Sequence, residues 1–169
     1  MMKITNRSGL AILTTVLCSV SGQLNACSLV PLLDAFETGH TEALAPVMPN
    51  FKVAGIERGS DDGNYGSCSD FGFITFKLSG SYPPQGYIFE RVRGEFEDRL
   101  FEPVAVMPSK FIDDKALFTF VWLDGSSSEQ EPINFTVSIV AVNRAGERSE
   151  PQYLEVRHPG VASPWWKFW

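Results

Sequence analysis

The most constraining feature of this sequence is an alternation of apolar and polar residues that recurs along most of the chain. In the clearest case, Ile74, Phe76 and Leu78 alternate with Thr75 and Lys77. A period of two places successive side chains on opposite faces of an extended backbone, so such a segment predicts a strand with one buried face. The predicted strands are residues 51–56, 71–79, 87–92, 100–106, 116–123, 133–142 and 152–157.

Turn-forming residues separate these segments, and no helical pattern lies between them. Strands joined by short connections without crossover helices indicate an antiparallel sandwich or barrel. We therefore predict an all-β fold, a seven-stranded antiparallel sandwich over residues 51–158. Pro103 cannot donate a ladder hydrogen bond, so the strand 100–106 is predicted at a sheet edge.

Composition narrows the class of protein further. With 13 Phe, 4 Tyr and 4 Trp among 169 residues, the chain has ample material for a core, which excludes general disorder. Its net charge of −6 disfavours a nucleic-acid partner, because binding phosphates requires clustered Lys and Arg.

The amino terminus predicts export. Lys3 and Arg7 precede an apolar stretch at 10–20, which is too short to span a bilayer and ends in small and polar residues. This pattern is typical of a signal peptide, predicted at 1–26 with cleavage after Ala26. We therefore expect a bacterial protein that is periplasmic or secreted.

Two cysteines remain after cleavage, Cys27 and Cys68. In an oxidising compartment such a pair normally forms a disulfide, which would fasten the lead-in segment 27–50 to the sandwich. The alternative is lipidation, because residues 24–27 resemble a lipobox and would make the chain an outer-membrane lipoprotein anchored through Cys27. Asn25 fits that motif poorly and lipidation would leave Cys68 without a partner thiol, so the disulfide is preferred.

The lead-in contains apolar residues at helical spacing, Leu29, Leu32, Leu33 and Phe36, with Gly39 as a possible end. We expect a short helical turn or coil that packs on the sandwich.

The last third of the chain resembles a known family. Two stretches resemble the penultimate strand with its following turn, and the third strand, of fibronectin type III domains. They comprise Phe135, Val137, Ile139, Ala141, Val142, Asn143, Ala145, Gly146, Ser149, Glu150 and Pro151, and Gly86, Tyr87, Ile88, Phe89 and Glu90. The resemblance covers about residues 49–158 and implies an immunoglobulin-like β-sandwich that acts as a binding or spacing module.

The chain departs from this family at several positions. Phe76 stands near the place of the usual Trp on the second strand, and Phe135 stands where a Tyr is favoured. The second and sixth predicted strands lack the cysteines of a true immunoglobulin disulfide. The integrin-binding tripeptide is also missing, because Arg93 and Gly94 are followed by Glu95.

Few residues suggest catalysis or metal binding. Cys68 could form a nucleophile with His40 or His158, but their spacing does not indicate it. An acidic loop could offer oxygen ligands to calcium through Asp61, Asp62, Asn64 and Asp70, yet these are also ordinary turn formers. We predict no catalytic residue, no metal and no cofactor.

The segment 159–169 ends in a cluster of aromatic side chains, Trp165, Trp166, Phe168 and Trp169. These rings can fold back on the sandwich, or they can stack on a sugar or a partner or lie at a membrane interface. Back-packing is preferred, and the binding role is retained as the alternative.

Together these features predict an exported, non-catalytic binding or structural module of the cell envelope with a protein or glycan partner. The alternatives are a membrane-tethered lipoprotein scaffold, for which alone a membrane contact is expected, and a small hydrolase using Cys68 or the acidic loop. Partner identity and oligomeric state do not follow from the sequence.

Overall fold

The computed structural model describes residues 33–41, 44–60, 62, 67–97, 99–124 and 130–160. The predicted signal peptide, Cys27 and the aromatic residues from Trp165 to Trp169 lie outside the described residues. Among the described residues, no helix has the length and hydrophobicity needed to cross a membrane.

Two antiparallel sheets form a β-sandwich, which confirms the predicted all-β architecture. The strands are β1 (Phe51–Glu57), β2 (Phe71–Leu78), β3 (Gly86–Glu95), β4 (Lys110–Ile112), β5 (Lys115–Leu123), β6 (Ile133–Val142) and β7 (Gln152–His158). The first sheet has the order β1-β2-β5-β4 and the second has the order β3-β6-β7. A short 3-10 turn at Cys68–Asp70 leads into β2.

The prediction of a fourth strand at residues 100–106 was wrong. Residues 100–106 form no strand, and only Val106 makes a bridge, to Tyr87 at the edge of β3. Leu100 and Val106 are buried in the core. The apolar pattern of residues 100–106 therefore reflects buried side chains in a connecting segment, and not backbone pairing within a sheet. Pro103 therefore does not mark a sheet edge strand.

The strand that brings the total to seven is β4, which is three residues long and pairs with β5. It was not among the predicted strands. The two strands are joined by Asp113 and Asp114, whose φ values are 48° and 58°. Two successive left-handed residues are the requirement of a type I′ hairpin turn, and aspartate tolerates this conformation better than most side chains. All three residues of β4 are exposed, so this strand has no alternating pattern.

The described part of the lead-in is extended and not helical. Ala35 bridges Val106, which bridges Tyr87 on its other side. The Phe36 N–H donates to the Ala105 carbonyl at 2.7 Å, and the lead-in thereby continues the edge of the three-stranded sheet. The helical turn expected here is not formed by residues 33–36, because backbone groups beside β3 are available as partners.

Side-chain packing fixes the lead-in at the start of β3. The Phe36 side chain lies directly over Gly86, where an added Cβ would come within 2.5 Å of the Phe36 Cβ and Cγ atoms. Leu33 packs against the edge of the core. The hydrophobic spacing of the lead-in thus serves contacts with the sandwich, although the backbone is not a helix.

The core between the sheets is dominated by aromatic rings. Phe51 and Tyr87 meet edge to face with ring centroids 4.9 Å apart, and Phe89 and Phe120 do so at 4.8 Å. Both are pairs between the two sheets, in the geometry that aromatic quadrupoles favour. Phe76 is fully buried among these rings, so phenylalanine fills the place where a tryptophan was expected from the family resemblance.

Candidate functional site

Three connections and the end of the lead-in come together at one end of the sandwich. Because the strands alternate in direction, residues 79–85, 113–114 and 143–151 all lie at this end, next to the start of β1. We call this region the loop end. Its backbone is held by the amide side chains of Gln85, Asn143 and Gln152, which are described in turn.

Gln85 precedes β3 and is 4% exposed. Its Oε1 accepts a hydrogen bond from the Val47 N–H at 2.9 Å, and its Nε2 donates to the Val47 carbonyl at 2.9 Å. The same Nε2 donates to the Tyr87 hydroxyl at 2.9 Å. The buried amide therefore acts on Val47 as a neighbouring strand would, with both its donor and its acceptor satisfied.

Asn143 follows β6 and is 3% exposed. Its Nδ2 donates to the Leu44 carbonyl at 2.9 Å, and its Oδ1 accepts from the Glu147 N–H at 2.9 Å. The neighbouring Arg144 carbonyl accepts from the N–H groups of Gly39 and His40 at 2.8 and 3.0 Å. The turn after β6 thus holds the lead-in at two places.

Gln152 opens β7 and connects it to β1 in the other sheet. Its Oε1 accepts from the Phe51 N–H at 2.6 Å, and its Nε2 donates to the Phe51 carbonyl at 2.9 Å. Gln152 therefore fixes the exit of the lead-in into β1.

This restrained backbone presents apolar side chains to solvent. Leu44, Val47 and Met48 are 83%, 61% and 59% exposed. Phe111 and Ile112 on β4 are also exposed at this end. A shallow groove of ≈ 150 Å³ lies beside Leu44, Val47 and the Pro83–Pro84 loop. Clustered exposed apolar side chains are typical of an interaction surface, and here buried polar groups fix the backbone that carries them.

The two tyrosines of the loop end are structural. Burial raises the pKa of Tyr87 to about 12, against a lowering effect of the hydrogen bond from Gln85, and burial also raises the pKa of Tyr82. The Tyr82 hydroxyl donates to the Gln85 carbonyl at 2.7 Å. Both hydroxyls are therefore neutral near pH 7 and support the position of Gln85.

The candidate catalytic residues are divided between the two ends of the sandwich. His40 lies at the loop end beside Arg144, whereas Cys68 lies at the opposite end, in the turn before β2. His158 ends β7 at that opposite end, and its Nδ1 accepts a hydrogen bond from the Gly160 N–H at 3.0 Å.

The acidic loop is described only in part. Asp61 and Asn64 lie outside the described residues, Asp62 is exposed, and Asp70 is buried. The Asp70 Oδ2 accepts from the Ser67 N–H at 3.1 Å as part of a capping box. No group of three metal-ligating side chains occurs among the residues that the structure describes.

Two other sequence predictions involve residues outside the described part of the chain. Cys68 is described but Cys27 is not, so the disulfide between them stays a prediction. Trp165, Trp166, Phe168 and Trp169 lie outside the described residues as well, and their role also stays a prediction.

The roles of the three amides of the loop end were not predicted from the sequence. The only local signal is their position, since Gln85 and Asn143 directly flank strands and Gln152 begins one. Polar residues at strand ends are common, so this position alone does not distinguish a buried amide from an exposed one. No protein family, curated protein or solved structure matches this chain.

Proposed function

We propose that this protein is an exported, non-catalytic binding module of the cell envelope whose loop end contacts a protein partner. The observation that carries the proposal is the restrained segment 44–48, in which buried Gln85 and Asn143 hold the backbone while Leu44, Val47 and Met48 project into solvent. Aliphatic side chains of this kind favour a protein over a glycan, because sugars are usually bound by aromatic faces and polar groups.

The strand order supports an immunoglobulin-like sandwich, and we propose the fibronectin type III family within it from the sequence resemblance alone. Sheets ordered β1-β2-β5-β4 and β3-β6-β7 correspond to the four-stranded and three-stranded sheets of a constant-type immunoglobulin domain. In that architecture, loops at one end of the sandwich commonly form binding surfaces. Phe135 is buried at the position where the resemblance expects tyrosine, so the ring is retained without its hydroxyl.

Export is proposed from the basic and apolar amino terminus, and the compartment would be periplasmic or extracellular. The Cys27–Cys68 disulfide is part of this proposal. A lipoprotein anchored at Cys27 would present the same loop end on a tether, and the mass of the mature amino terminus distinguishes the two forms.

The test uses paired surface variants of the mature chain. Leu44→Asp with Met48→Asp alters the loop end, and Val92→Asp with Tyr153→Asp alters exposed residues of the three-stranded sheet. Partners captured from envelope extract by the unaltered chain are identified, purified and titrated against all three proteins. We expect the loop-end variant to bind at least about tenfold more weakly and the control variant to bind normally. Equal affinities for the three proteins would exclude the loop end as the binding surface.

A further inference from the structure

The groove beside Leu44 and Val47, which we call the loop-end groove, has one charged residue in its lining. That residue is Arg144. The apolar lining consists of Leu44, Ala45, Val47, Pro83 and Pro84. The volume of ≈ 150 Å³ equals that of about five water molecules. The groove therefore has room for one side chain of a partner and not for a whole strand.

The two amides that also line the groove have no donor left for a ligand. Gln85 uses both hydrogens of its Nε2, on the Val47 carbonyl and the Tyr87 hydroxyl. Asn143 uses both hydrogens of its Nδ2, on a backbone carbonyl and on Glu147 Oε2 at 2.7 Å. Because their donors are satisfied within the chain, these amides fix the groove and do not select its occupant.

Arg144 differs from the amides. Its side chain is exposed, and its guanidinium makes no hydrogen bond or ion pair with a described residue. Its carbonyl accepts from the N–H groups of Gly39 and His40, so the backbone of Arg144 is held in place. A fork of N–H donors beside an apolar groove is complementary to a carboxylate attached to an apolar group.

The two prolines disfavour binding by strand addition. Pro83 and Pro84 have no N–H, so they cannot supply the backbone donors that an added β-strand requires. A partner must therefore be held by a side chain and a carboxylate. The last residue of a chain carries both groups on one Cα, whereas an acidic residue next to an aliphatic one needs room for two side chains.

We propose that the loop-end groove binds the carboxyl-terminal residue of the protein partner. Its aliphatic side chain lies against Leu44, Val47 and the two prolines, and its terminal carboxylate accepts hydrogen bonds from the Arg144 guanidinium. Apolar burial holds the residue, and the charged hydrogen bonds select a chain end. This inference rests on the proposed function, because it names the part of the partner that the loop end recognises.

An NMR titration of the isotope-labelled mature chain with N-acetyl-leucine tests the proposal. This probe has an aliphatic side chain and a free carboxylate, and N-acetyl-leucinamide differs in lacking the charge. We expect N-acetyl-leucine to shift the amide signals of Leu44, Ala45, Val47 and Arg144, with a dissociation constant on the order of 1 mM. The uncharged probe should bind about threefold more weakly or worse, because it cannot form the ion pair.

Arg144→Gln is the variant that removes the charge, and Arg148→Gln is its matched control. Both arginines are exposed and follow β6, but Arg148 does not line this groove. We expect Arg144→Gln to bind N-acetyl-leucine at least about threefold more weakly and Arg148→Gln to bind it normally. Added salt should weaken binding by the unaltered chain and leave binding by Arg144→Gln unchanged. Neither change should shift the thermal unfolding midpoint, because both side chains lie in solvent.

A third probe, N-acetyl-aspartyl-leucinamide, carries its carboxylate on a side chain. We expect it to bind more weakly than N-acetyl-leucine. Tighter binding of this probe would overturn the proposal and assign the groove to an acidic side chain within the partner.

Three other results would overturn the proposal. The first is no shift of the groove signals at about ten times the expected dissociation constant. The second is equal affinity for N-acetyl-leucine and its amide, and the third is an equal loss of affinity in Arg144→Gln and Arg148→Gln. If one of these occurs while Leu44→Asp with Met48→Asp still loses the captured partner, the proposed function stands and this inference alone fails.

Discussion

Arg58 and Asp124 form a buried two-pronged ion pair at the end of the sandwich opposite the loop end. The Arg58 Nε donates to Asp124 Oδ2 and Nη2 donates to Oδ1, both at 2.8 Å. The two side chains are 6% and 2% exposed. Asp124 also accepts from the Gly59 N–H, the Trp122 Nε1–H and the Gln130 Nε2–H. One carboxylate therefore joins the ends of β1 and β5 to the segment before β6.

Replacing Asp124 with asparagine should destabilise the fold strongly. The change leaves the Arg58 charge buried without its counter-charge, which costs about 3–5 kcal/mol in comparable sites. Equilibrium unfolding in urea measures the difference in the free energy of unfolding. The matched control is Glu155→Gln, which breaks the 2.8 Å ion pair between Glu155 and Arg157. The side chains of these two residues are 66% and 67% exposed. That change should be within about 0.5 kcal/mol of the unaltered chain, and similar losses in both variants would contradict the special role of Asp124.

The lowered pKa of Asp124 predicts that the fold loses stability in acid. Burial alone raises the pKa of Asp124, but hydrogen bonds from Arg58, Gly59 and Trp122 and the charge of Arg58 outweigh it and lower the pKa below 3.8. The unfolded chain therefore binds this proton more readily than the folded chain, and the stabilisation is present above pH 3.8 and lost as pH falls through the folded pKa. Urea unfolding between pH 2 and 6 should show a smaller acid-dependent loss in Asp124→Asn than in the unaltered chain. Parallel curves for the two proteins would refute this assignment.

The raised pKa of Tyr87 predicts that the fold also loses stability in base. Because burial raises its pKa from 10.0 to about 12, the folded chain holds this proton more tightly than the unfolded chain. Its contribution to stability is complete below pH 10 and is lost as pH rises toward 12. Tyr87→Phe should flatten the stability profile between pH 10 and 12, as measured by urea unfolding. The prediction fails if the variant retains the slope of the unaltered chain.

Gly72 is predicted to tolerate no side chain. A Cβ at this position would overlap Trp122 Cζ2, so the indole must move and strain its 3.0 Å hydrogen bond to Asp124. Gly72→Ala should therefore cost about 1–3 kcal/mol, as overpacking of a core typically does. Gly55→Ala in β1 is the control, because nothing lies within 4 Å of its added Cβ. A thermal unfolding midpoint that is equally affected by both changes would argue against the clash.

Most strand positions could be predicted from the sequence, because apolar and polar residues alternate with a period of two in a strand that buries one face. β2 and β6 follow this pattern closely, and both pack one face on the core. The same period misled at residues 100–106, where Leu100 and Val106 are buried without belonging to a strand. Periodicity reports which side chains meet the core, and it does not report which backbone groups pair.

The hydrogen bonds that hold the loop end depend on tertiary structure alone. Gln85 meets Val47 across 38 positions, Asn143 meets Leu44 across 99, and Gln152 meets Phe51 across 101. No local pattern specifies such partners, because the donors and acceptors come within reach only after the two sheets have stacked. The sequence by itself determined a chain of alternating strands rich in aromatic core residues, whereas the stacking of the sheets decided which amides became buried and which apolar side chains stayed in solvent. The physical reason is that the alternation of apolar residues is a property of neighbouring positions, whereas a hydrogen bond requires two specific atoms within about 3 Å that can be far apart in sequence.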